Sequence, residues 1–185
     1  MGRGDGKASN LAKPLLSHGW SAGFSFAKCH LEESAPYDPF QPYVMGVEQF
    51  ARYARFWTRG YDVYTPTQNL VYHDYQPNED GHGTGEWMKQ RRERIRVQSL
   101  KRIRTYLQLP DGDPDLDLNN LGIYGVGKRR TMKQLADFVG IDLGKQKVIK
   151  PTEVSILLEQ ILFVHWIPDM VSVVTGSLTQ YETLF

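Results

Sequence analysis

The chain has 185 residues, of which 41% are hydrophobic, enough for one domain with a buried core. A formal charge of +1 provides no global field toward nucleic acid or a membrane surface. The single cysteine, Cys29, excludes an intrachain disulfide and a cysteine-rich zinc site, and fits a reducing compartment.

Residues 1–13 read as a mobile lead-in. The first ten are polar and run into no long apolar stretch, so no signal peptide is expected, and Arg3-Gly4-Asp5 reads as a chance triplet. Residues 14–150 form the expected folded unit. Within it, Leu15 to Lys28 alternates small and aromatic residues, a strand signal, and Gly23 marks a bulge or a close approach by another group. Pro36 to Pro42 is irregular. Gly46 to Trp57 predicts a helix with Val47, Phe50 and Ala54 on one face, stopped near Gly60. Val63–Thr65 and Leu70–Tyr72 are β-prone runs around a Pro-Thr-Gln-Asn turn, consistent with paired strands or a strand and loop.

Residues 77–85 are flexible by composition. A long helix is expected over Glu86–Leu107, with Val97, Leu100, Ile103 and Leu107 as its apolar stripe. Pro110 to Asn120 is an acidic loop. Thr131 to Val139 predicts a short helix, with Thr131 and Gln134 spaced as a capping box and Gly140 as its stop. Residues 151–185 form an apolar tail of uncertain status. Its most hydrophobic part carries Glu159, His165, Pro168 and Asp169, whereas a spanning helix needs about 20 mostly apolar residues. No membrane contact is expected.

Several motifs invite chemistry and then lose their case. Gly122 to Lys128 matches the GxxxxGK half of a phosphate loop, but Arg129 stands where the magnesium-holding hydroxyl belongs, and no buried strand precedes it. Lys128-Arg129-Arg130 would still be able to touch a pyrophosphate from a mobile loop. Asp111, Asp113, Asp115 and Asp117 include Asp-x-Asp triplets, yet Leu116 and Gly122 occupy the positions where a calcium loop needs Gly and Glu. A solvated loop fits better. Residues 89–104 hold eight of the 22 basic residues and one acid, Glu93. That stripe would suit a nucleic-acid backbone, but the apolar stripe on the same helix favours a packed helix with a solvated basic face. Cys29-His30 are adjacent, a poor thiolate–imidazole arrangement. More suggestive is the aromatic stretch from Trp20 to Tyr75, holding Asp38, Glu48, Asp62 and His73-Asp74. There an imidazole oriented by a carboxylate would suit a divalent ion, and Trp20, Trp57 and Tyr61 would suit a sugar or base; an aromatic core with a capped histidine explains the same residues.

The order of motifs adds to this. Trp20-Ser-Ala-Gly23-Phe24-Ser-Phe26 is followed by Tyr37-Asp38-Pro39, Gly46-Val47-Glu48, Arg55-Phe-Trp57-Thr-Arg59-Gly-Tyr61-Asp62, Tyr72-His73-Asp74-Tyr75 and Trp87, then by Tyr124 to Thr131 and Phe138 to Asp142. Over residues 18–145 this resembles the UDP-GlcNAc:hydroxyproline-polypeptide N-acetylglucosaminyltransferases. The resemblance implies an α/β chain, a partial GT-A (nucleotide-diphospho-sugar transferase) fold lacking the N-terminal nucleotide-binding half. It also implies a cytoplasmic, retaining, metal-dependent transfer from UDP-GlcNAc to hydroxyproline on an adaptor of ubiquitin-ligase complexes, with manganese as the usual ion.

Carried over by motif, His73 would ligate the metal, Glu48 and Asp38 are the candidate catalytic acids, and Glu48 would mainly position hydroxyls. Trp20, Gly23, Phe24 and Trp57 would line the acceptor and sugar side, and Arg130 would contact the pyrophosphate. Val47 stands where the family usually has an acid, and Arg59 where it usually has His. Only 19 residues precede the Trp20 block, where that family has its nucleotide-binding half, so little or no turnover is expected of the chain alone. Two other readings remain: a noncatalytic remnant that grips protein or sugar, and a nucleic-acid module built on the basic helix.

Overall fold

A computed structural model describes residues 11–44, 46–70, 86–116 and 118–152, apart from the side chains of 86–89 and 118–120. The expected lead-in through residue 10, Val71 and Tyr72, His73, the 77–85 segment, and the tail from residue 153 lie outside the described residues.

The strand signal at the start of the unit yields only β1, Leu15–Leu16, which pairs antiparallel with β2, Tyr64–Thr65. The ladder extends through Leu11 N–H to Thr67 C=O (2.9 Å) and Ser17 N–H to Val63 C=O (2.7 Å). Beyond Ser17 the alternation finds no partner strand among the described residues. The chain instead loops to α1, Cys29–Ser34, a helix without a sequence signal. β2 thus pairs backward in the chain, with β1.

Helix α2, Val47–Thr58, follows Gly46 as expected and passes through the centre of the fold. The sequence predicts one apolar face, but ten of its twelve residues are buried, among them Arg52 and Arg55. The helix ends at Arg59, one residue before Gly60. Helix α3, Glu86–Tyr106, packs through Ile103, Tyr106 and the following Leu107, all essentially inaccessible. Ser99, also buried on α3, donates to Pro42 C=O at 2.9 Å. The described acidic loop is tied back to α3: Arg104 pairs with Asp111, and Asp113 N–H donates to Thr105 Oγ1 at 2.6 Å.

A 3₁₀ stretch, Leu118–Tyr124, leads to α4, Met132–Val139. The capping box predicted from Thr131 and Gln134 forms in both directions, supplying two of the backbone groups that a helix start leaves unpaired. Gly140 stops α4 at φ 86°, and a Cβ there would lie 2.4 Å from Lys150 C=O, so glycine is needed for conformation and for space. A hairpin follows, with β3, Ile141–Asp142, antiparallel to β4, Lys147–Val148. Among the described residues the result is a mixed arrangement of helices and two small sheets, compatible with the expected α/β class.

The main core joins α2, α3, α4 and the hairpin around Phe50, Tyr53, Trp57, Ile103, Leu107, Leu135 and Ile141. A smaller cluster of Leu31, Ala35 and Phe56, with Trp20, Tyr61 and Val63 against it, joins α1 to the other side of the chain's aromatic segment. No described helix is long and apolar enough to cross a membrane.

Candidate functional site

Between the β1–β2 ladder, the 19–28 loop and the start of α1 lies a cleft of about 490 Å³, within the range of small-molecule and peptide-side-chain pockets. Trp20, Phe24, Phe26, His30, Tyr61 and Asp62 contribute to its walls. Its rim is unusually apolar for a surface, since Phe26 is 96% exposed and Phe24, Tyr64 and Leu70 are each about half exposed.

Trp20 is fixed from behind. Its ring meets Phe56 edge-on at 5.6 Å, and the Arg52 guanidinium lies 5.0 Å from its centroid. Arg52, 3% exposed, also covers Tyr37 at 3.5 Å and reaches both Glu32 oxygens, at 2.6 and 2.5 Å. Arginine suits this place because a planar guanidinium stacks on rings while its edge pairs with a carboxylate. Phe24 stands in the loop that forms the cleft wall, and Gly23 occupies the exposed turn just before it, its N–H 3.4 Å from Ser21 Oγ.

At the α1 side, His30 Nδ1 lies 3.0 Å from the Tyr61 hydroxyl, which is 3.0 Å from Ser34 Oγ. The two rings are stacked, with centroids 5.5 Å apart. Composition and spacing did not single out His30, because its partner is 31 positions away. Trp20 and Phe24, from the motif, and Tyr61, as an aromatic wall, are the cleft residues that the sequence did single out.

The other sequence candidates are dispersed. Trp57 belongs to the main core, 8% exposed, stacked on Phe138 of α4 at 4.8 Å with the Arg130 guanidinium 4.5 Å from its ring. Arg130 pairs with Asp62 at 2.7 Å, and so connects the cleft wall to a second cavity of about 370 Å³ that Arg130 lines with Lys128, Lys133 and Gly127. Asp38 has a side chain 1% exposed and accepts from Phe40 N–H, Gln41 Nε2 and Arg102 Nε at 2.9, 2.9 and 2.8 Å. Those bonds hold the Tyr37–Gln41 turn against α3.

Glu48, in the first turn of α2, has one buried oxygen without a hydrogen-bond partner. Burial raises its pKa, while the backbone at Glu48 and Gly46 pulls in the opposite direction. It lines neither cavity. His73 lies outside the described residues, among which no three of His, Cys, Asp and Glu come together as ligands. The described residues therefore do not by themselves build a divalent-metal centre.

The glycine-rich closing segment has a structural use. Arg55, its pKa brought down to about 10 by burial and so still charged at neutral pH, donates to Pro36 and Ile123 carbonyls at 2.7 and 2.9 Å. Arg59 donates to Gly125 and Ile123 carbonyls, each at 2.7 Å, and Thr58 Oγ1 accepts from Gly127 N–H at 2.7 Å. The segment expected as a mobile loop is thus pinned to the end of α2.

An aromatic-walled cleft backed by an arginine stack suits a sugar or a peptide side chain, and comparison with known families places the chain in a glycosyltransferase family. A model described as "Glycosyltransferase (GlcNAc)" matches residues 3–145, and the chain belongs to that family. The matched range contains every described cleft residue and all the motifs of the resemblance. Membership implies a nucleotide-sugar donor and an acceptor. No curated protein and no solved structure matches the chain.

Proposed function

We propose that the chain moves N-acetylglucosamine from UDP-GlcNAc to a protein hydroxyl, hydroxyproline in the first instance, and that the Trp20–Leu70 cleft holds the acceptor. The observation carrying this reading is the coincidence of the cleft with the family's matched range: Trp20, Phe24 and Phe26, from one motif, and Tyr61 and Asp62, from another, meet across it. The reaction is a retaining transfer on a GT-A framework. The acceptor O–H bond and the bond from the anomeric carbon to the phosphate oxygen break, a glycosidic bond forms, and the proton leaves on the diphosphate.

A retaining transfer of this kind asks little of a strong enzymic base, which suits a Glu48 that acts by position. Manganese with His73 as a ligand, Arg130 at the pyrophosphate, a cytoplasmic location and an adaptor of a ubiquitin ligase as acceptor complete the proposal. Mass spectrometry of a hydroxyproline-containing protein incubated with the chain, UDP-GlcNAc and Mn²⁺ tests it. The chain alone is expected to bind UDP-GlcNAc and the acceptor and to transfer slowly at most, any product carrying one added N-acetylhexosamine per modified hydroxyl in the α configuration by NMR. A folded chain that leaves the acceptor unmodified and binds neither UDP-GlcNAc nor acceptor contradicts it.

A further inference from the structure

His30 Nδ1 faces the Tyr61 hydroxyl, and Nε2 has no hydrogen-bond partner among the described residues of the cleft wall.

The network has three links. His30 Nδ1 and Tyr61 Oη are 3.0 Å apart, Tyr61 Oη and Ser34 Oγ are 3.0 Å apart, and Ser34 Oγ is 3.1 Å from Leu31 C=O. Leu31 C=O already accepts from Ala35 N–H at 2.8 Å, so the Ser34 proton is available to Tyr61 Oη. Tyr61 then either donates its own proton to His30 Nδ1 or accepts from Nδ1–H. The His30 carbonyl, at 3.5 Å from Tyr61 Oη, is too far to take the tyrosine proton instead. Whichever ring nitrogen carries the proton, Nε2 offers the cleft one polar contact, and a hydroxyl, which both donates and accepts, can answer it in either tautomer.

The surroundings indicate whose hydroxyl it is. Lys28 and Asp62 are the charged side chains on the cleft wall, apart from the imidazole, and Asp62 is paired with Arg130. The remaining rim is exposed aromatic and aliphatic surface from Phe24, Phe26, Tyr64 and Leu70. Such a wall suits the apolar side chains flanking a peptide hydroxyl better than a diphosphate.

We propose that His30 is the cleft's contact for the acceptor hydroxyl, its ring oriented by the stacked Tyr61, whose hydroxyl is tied in turn to Ser34. This rests on the reading of the cleft as the acceptor site. Its test is a calorimetric titration of the full chain with two matched peptide pools. One pool has Ser, Thr or hydroxyproline at the centre; the other has Ala, Val or Pro.

The unsubstituted chain is expected to prefer the hydroxylated pool by about fivefold, the worth of one net hydrogen bond. His30→Ala should abolish that preference while leaving affinity for the other pool unchanged, which a general loss of structure would not do. Tyr61→Phe, which keeps the stacked ring, should erode it in part, and neither substitution should alter UDP-GlcNAc affinity. A preference that survives His30→Ala overturns the assignment and leaves the cleft reading standing. A loss that falls on UDP-GlcNAc instead gives Nε2 to a sugar hydroxyl and also overturns it. Failure of the unsubstituted chain to bind either pool overturns the cleft reading along with the assignment.

Discussion

The two sides of α2 use the same residue types in opposite ways. Toward α4 and the closing segment, Arg55 and Arg59 spend their donors on backbone carbonyls, and Trp57 is packed on Phe138. Toward the cleft, Arg52 stacks behind Trp20 and Tyr37, while Phe24 and Phe26 are left in water. Arginines and aromatics on the first side hold the chain together; on the second they present a surface. Stability should therefore concentrate on one side and ligand binding on the other.

The sharpest contrast is between Leu135, fully buried on α4, and Phe26. Leu135→Ala should cost about 2–5 kcal/mol in urea denaturation by loss of buried surface and creation of a cavity. Phe26→Ala should change stability by less than about 0.5 kcal/mol, yet weaken acceptor binding. Equal stability costs at both positions would erase the comparison.

Gly127→Ala comes next. A Cβ there would lie 2.5 Å from Thr58 C=O and 2.6 Å from Arg59 Cγ, and the backbone partner cannot swing away. A loss of about 1–3 kcal/mol by denaturation is expected, as for other overpacked sites.

Glu48→Gln probes the balance between stability and function. Because burial raises the folded pKa of Glu48, the neutral form fits the fold better than the carboxylate. Its favourable contribution is complete below the unfolded carboxylate pKa and is lost as pH rises through the folded value. Glutamine should raise the melting temperature at pH 7, with the gain fading as the pH falls through the raised folded pKa and gone below the ordinary glutamate value. Reduced transfer in the same variant would support Glu48 as a contact to reacting groups.

Among the polar contacts, a small effect is expected for Asp62→Asn. The Asp62–Arg130 pair is short but 38% and 28% exposed, so solvent and salt screen it. A change below about 1 kcal/mol, shrinking further in high salt, should be seen by thermal melts.

The sequence carries the helices more clearly than the site, for a physical reason. α4 is announced by neighbouring residues, Thr131, Gln134 and Gly140, whose bonds close within a few positions. The apolar period on α3 likewise survives in Ile103 and Leu107. By contrast, β1 meets β2 across about fifty residues, and no local pattern specifies that pairing. Arg52 and Arg55 look like a solvated face until their carboxylate, ring and carbonyl partners are in place. Trp20 and Phe24 are legible as a motif and do reach the cleft, whereas Trp57, from an equally suggestive motif, was drawn into the core by Phe138. The strand expected through Lys28 fails because alternation alone supplies no neighbouring strand.

Hydrogen exchange read by mass spectrometry, with and without a hydroxyproline-containing acceptor, tests most directly whether the cleft receives the acceptor. Slower exchange confined to residues 19–31 and 61–70 is the predicted result. Unchanged exchange there, with new protection over α3 or α4 on acceptor binding, would contradict it.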